Sequence, residues 1–423
     1  MKSKKRVVTT RRTAAERAER NRPRPMGRGL RGGAIASIQI VDRSGGRATI
    51  EEDAGGLSTQ GQGSRRGSSD RAAGGRAERP AARPADGAEN GPGGMSRLAG
   101  RPIDLSVDLA PGHGGLVLAN PILVASGTFG YGIEYGEVVD VQRLGAICCK
   151  GTTLKARIGN PTPRVTETPG GMLNSIGLQN PGVDAVIEKY ASIWQDWRVP
   201  VIVNVAGESI ADYVEVVRRL DGVPGVAGVE LNISCPNVGK GGLQFAIDAS
   251  AAGAVTAAVR RATDLPLLVK LSPNVADVRP IARAIADGGA DALTAVNTLS
   301  GIAVDRTRTR PLLGNIFGGL SGPAIKPVAL KIVYEVAQVV DIPIVAIGGV
   351  VDFGDVLDFL AVGAVAVQVG TAIFADPTLP VRLIDELEDE CRRRGLDSYR
   401  PLVGTALPAR VGASSAKGVE YRP

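Results

Sequence analysis

Histidine and cysteine are scarce in this sequence of 423 residues, and each scarcity excludes a class of site. With His113 as the single histidine, a histidine triad or a histidine-rich metal site cannot be built, so a general base must be a Cys, Lys, Tyr or carboxylate. The cysteines Cys148, Cys149, Cys235 and Cys391 show no paired spacing, which argues against a disulfide framework, a zinc site or an iron–sulfur cluster. We therefore expect a chain without a metal that works in a reducing cytoplasm.

Long apolar runs are missing as well. No stretch approaches the roughly 18 apolar residues that a membrane span requires. The longest apolar piece near the N-terminus, around residues 34–41, is too short and lacks the flanks of a signal peptide. We expect no contact with a membrane.

Residues 1–94 lack Phe, Trp and Tyr altogether and are rich in Gly, Ala, Arg, Ser and Pro. They contain 20 Lys and Arg against 10 Asp and Glu, whereas residues 95–423 contain 30 against 33, so the basic character of the chain belongs to this segment. So few large apolar groups cannot bury enough surface to offset the entropy lost on ordering the chain. The composition predicts a disordered basic tail over residues 1–94.

Two interpretations of this tail are open. Met95 follows Gly-Pro-Gly-Gly and precedes the first structured pattern, so it is a candidate translation start that would leave residues 1–94 outside the protein. Alternatively, the tail is a basic arm that contacts nucleic acid or an acidic surface. We favour a solvated or untranslated tail over a nucleic-acid-binding arm.

From residue 103 onward, apolar runs alternate with helical patterns. A short alternating pair, 103–109 and 115–118, predicts a hairpin at the bottom of a barrel. Eight apolar runs follow as candidate strands, at 122–125, 146–150, 199–205, 228–233, 267–271, 292–297, 342–347 and 364–369. Helices are predicted at 184–195, 209–220, 246–262, 275–287, 324–340, 353–361 and 379–394.

Eight such units indicate a buried parallel sheet and predict a (β/α)8 TIM barrel over residues 95–408, followed by a flexible tail at 409–423. No G-x-G-x-x-G follows the first strand, which disfavours an open dinucleotide-binding sheet. Three long insertions, 151–183, 235–245 and 299–323, follow strand ends, the face on which barrel enzymes keep their chemistry.

Five polar residues stand at the ends of different apolar runs: Lys150, Asn204, Asn232, Lys270 and Asn297. In a barrel these side chains converge over one central site. One buried Asn or Lys is commonly a structural residue satisfied by a neighbour. Five at matching depth indicate a ligand site, because each uncompensated buried polar group costs about 1–3 kcal/mol.

The alternation of side chains along a strand refines this arrangement. Lys150 and Cys148 share the inward face of their strand, while Cys149 faces the helices, so the cysteine pair is expected to pack rather than to do redox chemistry. By the same alternation, Glu230 lies one layer below Asn232, where it needs a cationic partner.

Two glycine-containing turns, Gly348-Gly349 and Gly370-Thr371, follow the seventh and eighth strands. The loops at these two places form the usual phosphate grip of such barrels, with backbone N–H groups pointing at the anion. Either turn alone could serve only to reverse the chain. Together they predict a phosphorylated cofactor.

Cys235 stands just past the fourth strand, at the start of the Gly-rich segment 238–242. A cysteine at a loop mouth can be titrated, whereas a buried one is usually inert. The Gly-rich segment is typical of a mobile lid. We predict a reactive role for Cys235; the alternative is an incidental loop cysteine.

The segments Asn-Ile-Ser-Cys-Pro-Asn at 232–237 and Asn-Ser-Ile-Gly-Leu-Gln-Asn-Pro-Gly at 174–182 resemble dihydroorotate dehydrogenase, and the similarity extends over essentially all of residues 100–408. Cysteine rather than serine at the base position resembles the soluble class. The run Gly-Leu-Gln-Asn-Pro-Gly-Val resembles the NAD-linked, two-subunit type more than the fumarate-using homodimer. The resemblance implies oxidation of dihydroorotate to orotate in pyrimidine biosynthesis, with one FMN per chain accepting the C6 hydride and Cys235 removing the C5 proton.

The resemblance also assigns residues by position, and it implies no metal. For the substrate it implies Lys150, Asn174, Ser175, Ile176, Gly177, Leu178, Asn232, Asn297 and Thr298. For FMN it implies Ser126, Lys150, Gly151, Asn204, Asn232, Lys270, Val296, Gly322, Gly348, Gly349, Gly370 and Thr371. In the family's pattern, Lys270 matches the cation near N1 and the C2 carbonyl of the flavin.

The NAD-linked type resembles a heterotetramer, in which a homodimeric core binds a second subunit that carries FAD and a [2Fe–2S] cluster. This chain has neither a dinucleotide fingerprint nor a cysteine cluster, so the resemblance implies that it needs such a partner. Other interpretations remain: a fumarate-dependent enzyme, a dihydropyrimidine dehydrogenase-like flavin barrel, a tRNA dihydrouridine synthase, an inactive flavin-barrel scaffold, or a protein that binds nucleic acid through its basic arm.

Overall fold

The computed structural model describes residues 101–233, 245–305, 307 and 309–408, together with two short strands near the N-terminus. These two strands, β1 (Ile38–Val41) and β2 (Arg47–Ile50), pair antiparallel. The disorder predicted for residues 1–94 stays a prediction. The rest of residues 1–100, the C-terminal residues 409–423 and the predicted base Cys235 lie outside the described residues, so the expectations about them stay predictions.

The other strands, in chain order, are β3 (Val107–Asp108), β4 (Val117–Leu118), β5 (Ile122–Val124), β6 (Ala146–Thr152), β7 (Val165–Thr168), β8 (Gly171–Asn174), β9 (Val201–Val205), β10 (Val226–Leu231), β11 (Leu267–Lys270), β12 (Ala292–Ala295), β13 (Leu299–Ile302), β14 (Val304–Asp305), β15 (Arg310–Pro311), β16 (Phe317–Ser321), β17 (Ile344–Ile347) and β18 (Ala366–Val369). The helices are α1 (Val183–Trp194), α2 (Ile210–Leu220), α3 (Ala249–Arg260), α4 (Arg279–Asp287), α5 (Lys326–Ala337), α6 (Phe353–Ala361) and α7 (Leu379–Arg394).

Eight strands close into a parallel barrel in the order β5, β6, β9, β10, β11, β12, β17, β18 and back to β5. The predicted (β/α)8 fold is thereby confirmed, and each barrel strand coincides with one of the eight apolar runs. These runs lack a polar face because the strands are buried on both sides, by the barrel interior and by the helices. All five residues of β9, for example, are buried.

The helices pack one apolar stripe onto the barrel. In α2 the buried residues Tyr213, Val216, Val217 and Leu220 recur every three or four positions, as a helix on a core requires. Its first turn is closed by a capping box, in which the side chain of Ser209 accepts from the backbone N–H three residues later.

Two helices begin three or four residues later than predicted. The helix expected at 275–287 begins at Arg279, since Pro280 in its first turn suits a helix start and the preceding residues form a turn. The helix expected at 246–262 has its main body from Ala249, because the side chain of Asp248 accepts a hydrogen bond from Ala251 N and caps it there.

The predicted hairpin consists of the short antiparallel pair β3 and β4. In the turn between them, His113 Nδ1 lies 3.2 Å from Asp291 Oδ1, and Asp291 directly precedes β12. Asp291 is buried and also pairs with Arg260 at 3.0 Å. Because these contacts are at the N-terminal end of a barrel strand, the hairpin lies at the bottom of the barrel, as predicted.

An additional sheet was not predicted. The insertions 151–183 and 299–323 form antiparallel strands in the order β13, β16, β8, β7. In this sheet Gly319 of β16 stands opposite Asn174 of β8. Among the described residues, no helix is both long and apolar enough to cross a membrane.

Candidate active site

A cavity opens at the C-terminal ends of the barrel strands, between the barrel and the additional sheet. Eighteen of the residues predicted for the site line it: Ser126, Lys150, Gly151, Asn174, Ile176, Gly177, Leu178, Asn204, Asn232, Lys270, Val296, Asn297, Thr298, Gly322, Gly348, Gly349, Gly370 and Thr371. The structure therefore brings these residues together, while their roles stay predictions.

Of the predicted residues that the structure describes, Ser175 alone does not line the cavity, and the predicted base Cys235 lies outside the described residues. Ser175 is fully buried, and its Oγ accepts hydrogen bonds from Asn160 Nδ2 at 3.0 Å and Asn315 Nδ2 at 3.2 Å. Ser175 thus joins the two long insertions instead of facing the cavity, because its neighbour Asn174 takes the cavity side of the alternating chain.

Several apolar residues of the cavity wall were not predicted from the sequence. They are Val165 and Met172 of the additional sheet, together with Ile325, Val350 and Phe374. Their positions carry no local signal, since an apolar residue that faces a ligand has the same composition as one that faces the core.

Lys270, at the end of β11, is buried, and its Nζ lies 3.5 Å from Ser126 Oγ. The chain thus holds a positive charge within the mouth of the barrel. Lys150, two residues before the end of β6, is half-buried, and loss of solvent is the main reason that its pKa lies below the usual range. The carboxylate of Glu134 counteracts this effect, and the charge of Arg164 adds to it.

Three asparagine side chains, Asn204, Asn232 and Asn297, form a row of hydrogen bonds that we call the asparagine row. Asn297 Nδ2 donates to Asn232 Oδ1 at 3.2 Å, and Asn232 Nδ2 donates to Asn204 Oδ1 at 3.5 Å. Asn204 Nδ2 in turn donates to Glu230 Oε1 at 2.7 Å. The row runs from the cavity wall into the barrel interior.

Glu230 is fully buried at the inner end of this row. Besides Asn204, it accepts hydrogen bonds from Cys148 Sγ, Thr294 Oγ1 and Gln368 Nε2, at 3.1, 2.8 and 3.1 Å. Burial raises its pKa, but the charge of Lys270 and these hydrogen bonds outweigh burial and lower the pKa. The lowered pKa favours the ionised form of this carboxyl group.

The predicted cationic partner of Glu230 needs a correction. Among the described residues, Glu230 forms no ion pair. The charge of Lys270 lowers the pKa of Glu230 without direct contact, and the groups that bond directly to Glu230 are four neutral donors. Several neutral donors can stabilise a buried carboxylate as one cation would. Burial and the nearby Glu230 raise the pKa of the Cys148 thiol well above its usual range, which agrees with a packing role for this cysteine.

The two glycine turns, Gly348-Gly349 and Gly370-Thr371, follow the neighbouring strands β17 and β18, and both line the cavity. Gly349 has φ +87°, and a Cβ there would lie 2.7 Å from Lys326 Cβ. Within the described part of the chain, the N–H groups of Gly349 and Val350 have no hydrogen-bond partner. The adjoining backbone is held by Asp355, which accepts from Val351 N at 2.7 Å and contacts Lys326.

Asn174 Nδ2 donates to Gly319 O at 3.3 Å, so the additional sheet fixes this side chain over the cavity. In the described residues there is no cluster of three or more His, Cys, Asp or Glu that could hold a metal ion. The described residues of the cavity offer amides, hydroxyl groups, two lysines and backbone N–H groups.

Comparison with known proteins agrees with this geometry. The family model described as dihydroorotate dehydrogenase matches residues 109–391. The chain is 50% identical over 301 residues to the dihydroorotate dehydrogenase B (NAD(+)) catalytic subunit of Geobacter sp. (strain M21), covering 71% of this chain and 97% of the relative. It is 52% identical over 293 residues to the subunit of the same name from Fusobacterium nucleatum, covering 69% and 96%.

A solved structure supports the fold. The Eimeria tenella dihydroorotate dehydrogenase, crystallised with ferulenol, superposes with a TM-score of 0.60 at 22% identity, over 71% of this chain and 88% of the other. Since the family model covers more than half of the chain and the relatives are matched over almost their whole length, this chain belongs to the dihydroorotate dehydrogenase family.

Proposed function

We propose that this chain is an FMN-binding catalytic subunit that oxidises dihydroorotate to orotate in pyrimidine biosynthesis. One observation carries the proposal: Lys270, the asparagine row and the two glycine turns meet in one cavity, in a chain about half identical to NAD-linked catalytic subunits. The proposed unit is the barrel of residues 95–408, and the proposed compartment is the cytoplasm.

The residues of the cavity suit FMN. The N–H groups of Gly349 and Val350 are available to a phosphate, and Gly349 leaves no space for a side chain. Lys270 supplies a fixed positive charge to the same cavity, and Met172 and Ile325 offer apolar walls to a ring system. We infer that the glycine turns hold the phosphate and that Lys270 and Asn204 face the flavin ring.

When bound, FMN supplies the acceptor for the hydride from C6 of dihydroorotate. The chain's own part is to bind the pyrimidine and to move a proton. The amides of Asn174, Asn232 and Asn297 can pair with the donor and acceptor edges of the ring, and a site matched in this way rejects analogues that lack those groups. Cys235 is the proposed base that takes the C5 proton, so that C5 and C6 become doubly bonded.

Electrons then have to leave the chain. The Geobacter and Fusobacterium relatives are named as catalytic subunits of an NAD(+) enzyme. We infer that this chain passes electrons to NAD+ through a partner subunit with FAD and a [2Fe–2S] cluster, around a homodimer of catalytic subunits. The purified single chain is then expected not to reduce NAD+ at a useful rate, and co-purification under mild conditions should recover the partner.

The test is anaerobic reduction of the purified, FMN-loaded chain. Dihydroorotate should bleach the flavin absorbance and yield one orotate per FMN. Dihydrouracil, which lacks the carboxylate, should bleach it far more slowly. A flavin that dihydrouracil reduces faster would point to a dihydropyrimidine dehydrogenase-like enzyme, and a flavin that neither compound reduces would overturn the proposal.

A further inference from the structure

We propose that Glu230, which is buried below the cavity, is a positioning residue that sets the donor–acceptor direction of the asparagine row. The inference rests on the proposed function only in taking orotate as the ligand that reports on the row. Its structural basis is the set of contacts among Glu230, the three asparagines and the residues around them.

An asparagine side chain can be turned by 180° with almost no change of shape, so packing alone does not decide which end is the donor. Hydrogen bonding decides it. In the asparagine row each amide uses its Nδ2 toward the barrel interior and its Oδ1 toward the cavity wall. A group at the inner end that can only accept hydrogen bonds imposes such a uniform direction.

Glu230 is such an anchor. An ionised carboxylate has no hydrogen to donate, so Asn204 must turn its Nδ2 toward Glu230. Asn204 then offers Oδ1 to Asn232, and Asn232 offers Oδ1 to Asn297. Each oxygen of Glu230 accepts two hydrogen bonds, and these, together with the nearby charge of Lys270, favour the ionised carboxylate.

Gln368 also turns its amide nitrogen toward Glu230. Its Nε2 faces Glu230 at 3.1 Å, while its Oε1, which is buried, has no partner among the described residues. At the outer end of the row, Thr298 N donates to Asn297 Oδ1 at 2.8 Å, which agrees with the direction imposed from Glu230. The amides at both ends of the network are therefore oriented as an accepting anchor requires.

The test distinguishes the effect of the hydrogen-bond acceptor of Glu230 from the effect of its negative charge. Glu230→Met removes both, and Glu230→Gln removes the charge but keeps an acceptor oxygen for Asn204, since Gln368 can turn its unpaired Oε1 toward the new amide. Orotate affinity is measured at saturating FMN by titrating the flavin absorbance. We expect orotate to bind about 10- to 100-fold more weakly to Glu230→Met, as one buried amide left unpaired implies, and Glu230→Gln to stay within about threefold of wild type.

The matched control is Thr294→Val, which removes a donor from the other oxygen of Glu230 and leaves the row untouched. It should lower the melting temperature and leave orotate affinity unchanged. Equal losses in Glu230→Met and Glu230→Gln would assign the effect to charge and overturn the proposal, as would wild-type affinity in Glu230→Met. If wild type itself does not bind orotate, the proposed function fails instead.

A second measurement covers the case that Glu230→Met does not fold. Neutron diffraction from crystals of the deuterated wild-type protein with FMN locates the amide deuterons directly. The proposal expects no deuteron on Glu230 and the two deuterons of Asn204 on the atom that faces it. A protonated Glu230, or the reverse orientation of Asn204, would refute it.

Discussion

Lys270 and Ser126 come from opposite sides of the barrel, yet Lys270 Nζ lies 3.5 Å from Ser126 Oγ. Lys270 ends β11, Ser126 follows β5, and these two strands are four apart in a closed ring of eight. The lysine side chain therefore spans the mouth of the barrel and brings its charge close to the barrel axis. From there the charge can interact with the proposed flavin ring and with the buried Glu230.

Replacement of Lys270 by Met should leave a folded barrel that oxidises dihydroorotate about 100-fold or more slowly, since a fixed charge aimed at developing negative charge contributes at least that much. The midpoint potential of the bound flavin should fall as well. Stopped-flow reduction and potentiometry measure the two effects. Lys331→Met, on the exposed face of α5, is the control for loss of a lysine. An unchanged potential in Lys270→Met would contradict the role assigned to its charge.

The glycine turn at Gly349 predicts a loss of cofactor. Gly349→Ala should greatly reduce the FMN bound per chain, because the added Cβ meets Lys326 Cβ at 2.7 Å and the turn must shift away from the phosphate. FMN content is read from the absorbance of the purified protein. Gly395→Ala is the matched control: it also has a positive φ, of +68°, but nothing lies within 4 Å of the added Cβ. Retention of FMN in Gly349→Ala would show that the phosphate binds elsewhere.

For the proposed base, Cys235→Ala should still bind FMN and orotate but oxidise dihydroorotate slower by about 100-fold or more, the usual contribution of a general base. Cys235→Ser should keep a little activity at high pH, because a hydroxyl loses its proton less readily than a thiol. Cys391→Ala, in α7, controls for loss of a cysteine. A fully active Cys235→Ala would disprove the assignment.

We expect Asp104 to make the free energy of unfolding depend slightly on pH in the acidic range. Hydrogen bonds from the side chain and backbone of Ser106, and from Arg400, lower its pKa to about 2. A lowered pKa means that the fold favours the ionised form, so this contribution is complete above the usual pKa of about 4 and is lost as the pH falls toward 2. Because Asp104 and Arg400 are about half exposed, the contribution should not exceed about 1 kcal/mol.

The measurement compares urea unfolding of wild type and Asp104→Asn between pH 7 and pH 2. Asp104→Asn should be less stable at pH 7, and the difference should shrink below about pH 4. A difference that stays constant over the whole range would show that the lost contacts do not depend on ionisation.

Much of the fold could be predicted because its signals are local. Each barrel strand is a short apolar run, and each run is followed by polar or glycine residues, so the eight units and the side on which the site lies could be derived from periodicity. Boundaries such as the start of α4 at Arg279 were less accurate, since the turn before it continues the apolar pattern of the helix.

The additional sheet could not be predicted, because its strands pair residues such as Asn174 and Gly319, which lie in different insertions. The orientation of Ser175 could not be predicted for the same reason. Its hydrogen-bond partners, Asn160 and Asn315, are both far from it in the sequence.

The barrel, the polar residues at the strand ends and the glycine turns follow from the amino-acid sequence, because burial and backbone conformation select residue types at each position independently. The contact of Lys270 with Ser126, and the four neutral donors around Glu230, follow only from the folded arrangement of the chain. Those relationships depend on which strands closure of the barrel places opposite each other. A hydrogen bond requires two groups to be close in space, and the residues adjacent to them in the sequence do not show which distant groups will be close.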